Sequence, residues 1–134
     1  MINVLIVDDD AMVAELNRLY VARISGFRCC GTASTLNKAR EMINDNELEI
    51  DLVLLDVYMQ HDSGLDLLPT IRASGRAIAV IMITSAADAA TVQTSMHYGV
   101  IDYLIKPFQF PRFEEALTAW REKRKLMTGQ TYYE

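Results

Sequence analysis

Cysteine is nearly absent: the 134 residues hold two, side by side as Cys29 and Cys30. Adjacent cysteines fit neither a metal-binding spacing nor a C-x-x-C redox pair, and neighbouring residues of a strand point to opposite faces. Both are read as reduced thiols. Positive charge is also short, since 13 basic against 18 acidic residues leave −5. That excludes a chain that grips nucleic acid or anionic lipid through its overall charge. No apolar run approaches the ~20 residues of a membrane span, and no basic leader precedes the first apolar run. No membrane partner is expected, and a cytoplasmic location is. What the chain does have is 51% hydrophobic residues, enough for one sizeable core and one domain.

Apolar, β-branched runs recur at 2–7, 27–32, 51–55, 78–84 and 100–104, each followed by a helix-like segment. In the first such segment Met12, Val13, Leu16, Leu19, Tyr20 and Ile24 fall at three-to-four spacing, which predicts one buried stripe. Leu36, Ala39 and Ile43, then Leu65, Leu68 and Ile71, repeat the pattern. The last helix carries Phe110, Phe113, Leu117 and Trp120, and the basic run "REKRK" at 121–125 reads as a solvated helix end. Met42, Met82 and Met96 read as gap fillers in packing. Five strands alternating with five helices imply a parallel sheet covered on both faces, because parallel neighbours need long crossovers. Right-handed crossovers make this a doubly wound α/β fold, whose ligands bind beyond the carboxyl ends of the strands.

At that edge four strands end on polar residues: Asp8 and Asp9, Asp56, Thr84 and Ser85, and Lys106. A single strand-end aspartate is an ordinary turn or cap residue; several acids on one edge are another matter. Two carboxylates ~4 Å apart repel by about 4 kcal/mol at an effective dielectric of 20. Clustering Asp8, Asp9 and Asp56 therefore calls for a hard divalent cation with oxygen ligands, Mg2+ (or Mn2+). Lys106 adds a point cation suited to a phosphate. Asp10, just before "AMVAEL", reads as a helix N-cap. Gly64, in the loop after Asp56, reads as a position needing positive φ. His61 and His97 belong to no local ligand motif and read as loop or surface residues.

The pieces "VLIVDDD", "LVLLDVYMQHDSG", "VIMITSAAD" and "GVIDYLIKPF", in this order and spacing, resemble the receiver domains of two-component response regulators. The resemblance implies the receiver fold, strand order 2-1-3-4-5, and a role for each matching position. Asp56 corresponds to the phosphoacceptor that takes a phosphoryl group from a sensor histidine kinase. Asp9 corresponds to a direct metal ligand, Asp8 to one acting through water, and Tyr58 to a residue lending its backbone carbonyl. Thr84 and Lys106 match the groups that bind phosphoryl oxygens, Tyr103 the aromatic whose rotamer follows Thr84, and Ser85 a position kept small. Lys106-Pro107 matches a cis peptide. Gln60 departs from the proline usual there, and so removes a φ restraint from the loop.

The resemblance also implies a homodimer on phosphorylation, formed through the fourth helix, fifth strand and fifth helix. The segments "YLIKPFQFPRFEEAL" and "MTGQTYYE" are similar to the regulators that respond to citrate and C4-dicarboxylates. On that reading residues 1–126 form the receiver, 127–134 begin a linker, and DNA is reached only through a C-terminal domain outside this chain. Two rivals stand beside it. A haloacid dehalogenase-type phosphatase also uses a strand-end aspartate, and residues 8–10 offer an Asp-x-Asp, but the Thr or Val that should follow two residues later is Met12. A receiver-like interaction module that is never phosphorylated is the other.

Overall fold

The inner strands of the sheet form where β-branched and large apolar residues run almost without interruption, so that both faces can be covered. The computed structural model describes residues 1–59, 62–85, 88 and 99–127. Its main sheet contains β1 (Ile2–Val7), β2 (Phe27–Ala33), β3 (Leu52–Asp56), β6 (Ala79–Ser85) and β7 (Val100–Lys106). They are all parallel, in the order β2-β1-β3-β6-β7, which is the expected 2-1-3-4-5 with the sheet strands counted alone. A two-stranded hairpin, β4 (Tyr58–Met59) with β5 (Asp62–Ser63), lies in the loop after β3. The periodicity gave no sign of it.

Four helices occur among the described residues: α1 (Ala11–Ala22), α2 (Leu36–Ile43), α3 (Leu68–Ala73), entered through a 3-10 turn at Gly64–Leu67, and α4 (Phe110–Met127). The expected fourth of five helices falls between β6 and β7, outside the described residues, as do Gln60, His61, Met96, His97 and the linker stretch after Met127. No helix among the described residues is long and apolar enough to cross a membrane.

Alternation along the strands divides the core in two. Leu5, Val7, Val53, Leu55 and Met82 face α2 and α3 through Leu36, Ala39, Ile43, Leu68 and Ile71. Val4, Ile6, Leu52, Leu54, Ile81 and Ile83 face α1 and α4 through Ala14, Val21, Phe113 and Leu117. Cys29 packs on the second side and Cys30 on the first, as adjacent strand residues should. Burial pushes the Cys30 thiol up to about 11, so both stay protonated thiols, with Cys29 also raised.

The first helix corrects the sequence reading. Met12 is 82% exposed, and Leu16 and Leu19 are each 48% exposed; the face turned inward is Ala14, Asn17 and Val21. Tyr20 explains the rotation, because its ring meets Phe110 and Phe113 edge-on at 5.3 and 5.2 Å and turns the larger aliphatic side chains toward solvent. Asn17 is fully buried, and both ends of its amide lack a partner among the described residues.

The basic end of α4 is only partly solvated. Lys123 and Lys125 are exposed, while Arg121 donates to the Ser25 carbonyl at 2.6 Å and Arg124 to Asp51 at 3.1 Å. Their guanidinium groups also lie over Phe27 and Trp120. The last two turns of α4 are thereby fastened to the amino-terminal edge of the sheet.

Candidate functional site

β1 runs apolar to Val7 because both its faces are buried, and its next residue leaves the core with a charge. Asp8 stays alongside β2, its amide donating to the Ala33 carbonyl at 3.0 Å, and is 3% exposed. Its Oδ1 accepts the Asp10 amide at 2.8 Å. Asp10 itself turns away and caps α1, its Oδ1 accepting the Met12 and Val13 amides at 2.9 and 3.3 Å. The triple aspartate thus separates into one cap and two acids that face the sheet edge, as the sequence suggested.

Asp56 is the last residue of β3 and is buried. Its Oδ1 accepts the Tyr58 amide at 3.2 Å, and its Oδ2 accepts from Lys106 Nζ at 3.4 Å. Lys106 ends β7, reaching the acid across the intervening strand β6, and the Lys106-Pro107 peptide is cis. Carboxylate oxygens of Asp8, Asp9 and Asp56 all lie within 4.8 Å of one another.

The cost of this crowding is visible in the acids. Asp8 is pushed up to about 6, first by burial, then by the neighbouring charges of Asp56 and Asp9; the Asp10 amide and Lys106 pull the other way. Asp56 is also raised, chiefly by burial, against the pull of Lys106 and the Tyr58 amide. Asp8 Oδ2 is buried and has no hydrogen-bond partner among the described residues. An orphaned, buried carboxylate oxygen beside two further carboxylates fits a hard divalent cation.

Thr84 is buried near the end of β6, its hydroxyl donating to the Ser85 carbonyl at 3.3 Å. It follows Ile83, the register partner of Asp56. Tyr103 pairs in register with Met82 and packs against the core on the α2 and α3 side. By strand alternation it shares a sheet face with Thr84. The backbone of Tyr58 contacts Asp56, and its ring is 64% exposed. The structure therefore brings Asp8, Asp9, Asp56 and Lys106 together, with the Tyr58 amide on Asp56, Thr84 next to the register partner of Asp56, and Tyr103 two positions before Ile105, the register partner of Thr84.

Gly64 corrects another expectation. Its φ is not among the positive ones, which fall at Gly26, Gly75 and Gly99. A Cβ at position 64 would instead lie 2.0 Å from the Asp56 carbonyl oxygen, and the Gly64 amide donates to Val57 at 2.7 Å. Glycine is required because two backbones touch, and no local signal announces that. Sequence reasoning also missed Asp88, whose Oδ2 accepts from Ser85 Oγ at 2.7 Å and whose Oδ1 accepts from the Tyr58 hydroxyl at 3.5 Å. An acid three residues after Ser85 was its sole trace.

Comparison with known proteins adds four findings. The family model described as "Response regulator receiver domain" matches residues 4–118. The chain is 63% identical over 134 residues to the transcriptional regulatory protein DcuR of Escherichia coli (strain K12), covering all of this chain and 56% of that protein. It is 41% identical over 127 residues to a probable C4-dicarboxylate response regulator, DctR, of Halalkalibacterium halodurans, covering 95% of this chain and 54% of that protein. The chain thus spans about half the length of the curated relatives it matches. Among solved structures, a receiver domain from Clostridium thermocellum superposes with a TM-score of 0.82 at 26% identity, covering 95% of this chain and 99% of that one.

Proposed function

Because the chain belongs to the response regulator receiver domain family, we propose that its pocket is a phosphorylation switch with Asp56 as the phosphoacceptor. The observation that carries this reading is the cluster of three carboxylates within 4.8 Å, one of them 3.4 Å from Lys106. An Asp56 oxygen attacks the phosphorus of a phosphohistidine on a sensor histidine kinase. The O–P bond forms as the P–N bond breaks, and the imidazole nitrogen leaves with its electron pair and takes up a proton. Lys106 meets the added charge, and Thr84 supplies a hydroxyl to a phosphoryl oxygen.

Mg2+ suits the acids: Asp9 and Asp56 would hold it directly, Asp8 would act through water, and Tyr58 would offer its carbonyl. When bound, the ion supplies positive charge that lets three acids and a phosphoryl group share one pocket. A phosphorylated Asp56 carries close to two negative charges and more acceptor oxygens. Thr84 turns toward them, Tyr103 follows on the same face, and the population shifts to a second state that pairs as a homodimer.

Met12, Leu16 and Leu19, exposed on α1, offer the kinase an apolar surface on the helix that Asp10 caps. By likeness to the transcriptional and C4-dicarboxylate regulators named above, residues 1–126 act as the receiver and 127–134 lead toward a DNA-binding domain outside this chain. The stimulus on this reading is a dicarboxylate sensed by the kinase.

Incubation with acetyl phosphate and Mg2+, followed by intact mass, tests the reading. The wild type gains one phosphoryl group and Asp56→Asn gains none; wild type that gains none overturns it in favour of an interaction module. Light scattering with beryllofluoride then reports whether the mass doubles.

A further inference from the structure

Tyr58 touches the phosphoacceptor at one end and Asp88 at the other. Its amide donates to Asp56 Oδ1 at 3.2 Å while its hydroxyl reaches Asp88 Oδ1 at 3.5 Å. The second oxygen of Asp88 accepts from Ser85 Oγ at 2.7 Å. Ser85 follows Thr84 and stands in register with Lys106. Three side chains from the ends of β3 and β6 thus join across the same strand edge that holds Asp56. The Tyr58 ring is otherwise exposed and makes no contribution to the core, so packing does not account for its position.

We propose that Asp88 is a positioning residue for phosphoryl transfer. By tying the hydroxyls of Ser85 and Tyr58 together, it narrows the approach to Asp56 for water and for small phosphodonors. It acts through Tyr58 and touches no reacting atom. The hydrolysis it restrains is attack of a water oxygen on the phosphorus of the acyl phosphate, releasing inorganic phosphate and returning the Asp56 carboxylate. The same restraint slows uptake from acetyl phosphate, because donor and water approach from one side. The inference rests on the reading of Asp56 given above.

The test follows the intact mass of the full chain with acetyl phosphate and Mg2+, then after donor removal. Asp88→Ala and Tyr58→Phe are each expected to speed both gain and loss roughly three- to tenfold, the range of one released hydrogen bond. The double variant should be no faster than either single, because one bridge is broken in both. Asp88→Asn keeps an acceptor for Tyr58 and a partner for Ser85, and should restore rates near wild type. Unchanged rates in Tyr58→Phe, multiplying effects in the double variant, or Asp88→Asn as fast as Asp88→Ala would each overturn the bridge. Tyr58→Phe alters an exposed hydroxyl only, so the test survives if Asp88→Ala fails to fold. Wild type that never gains mass overturns the phosphoacceptor reading instead, which keeps the two failures apart.

Discussion

At the amino-terminal edge of the sheet, Asp51 has a donor on each carboxylate oxygen, the Asn3 amide at 2.8 Å and Arg124 at 3.1 Å. At the carboxyl edge, Asp8 is more deeply buried, keeps one oxygen without a partner among the described residues, and faces two further acids. Both edges bring polar groups to the ends of apolar strands. Asp51 is finished as structure, with its charge paired to Arg124, whereas the acids of the other edge are left short of positive charge. Burial raises both Asp8 and Asp56 at that edge, and the neighbouring acids add to it, an arrangement suited to a cation.

The largest effect that would sharpen this contrast comes from Gly64, which lets a loop backbone lie against the end of β3. Gly64→Ala should cost about 3 kcal/mol or more, since the new Cβ meets backbone that cannot swing aside; urea unfolding measures it. A smaller loss would show the carboxyl edge to be looser than it looks. Next come two substitutions of opposite sign. Asp8→Asn removes a crowded charge and should stabilise the protein in EDTA by about 1–3 kcal/mol at neutral pH, while weakening stabilisation by Mg2+. Asp51→Ala strands the buried Asn3 amide and should destabilise by about 1–3 kcal/mol. The same sign for both would end the comparison.

The pH dependence follows from the upward displacement of Asp8. The unfolded chain loses this proton near 3.8, whereas the folded one holds it to about 6. In that window the folded state binds more protons, so this group's contribution to stability is full below the lower value. It is lost as pH rises through the higher one. Asp56, raised likewise, adds to the same trend. In EDTA, the gap between wild type and Asp8→Asn should accordingly be near zero at pH 4 and fully open at pH 7.5, read as the shift in urea midpoint. The smallest effect is reserved for Arg124→Gln, which breaks a half-exposed ion pair and should cost at most about 1 kcal/mol.

The strands were legible because apolar β-branched runs leave few alternatives, and the acids were legible because each directly follows or ends such a run. The face of α1 was not, since the size of Leu16 and Leu19 suggested burial while the inward positions went to Ala14 and Asn17. What decided it was a contact to Phe110 and Phe113, about ninety residues away. Gly64 and Asp88 were hidden for different reasons: one answers to a backbone contact across its own loop, which no residue type announces, and the other to a tyrosine thirty residues away. The basic end of α4 was read from composition as solvated, but two of its arginines find carbonyl and carboxylate partners across the sheet edge.

Asn17 carries one more consequence. An amide sealed into an apolar contact without partners costs on the order of 1–3 kcal/mol, and the debt falls on the adhesion of a single helix. Amide protons of α1 should therefore exchange with deuterium before those of α2, whose inward residues are all apolar. A leucine at position 17 would close that difference.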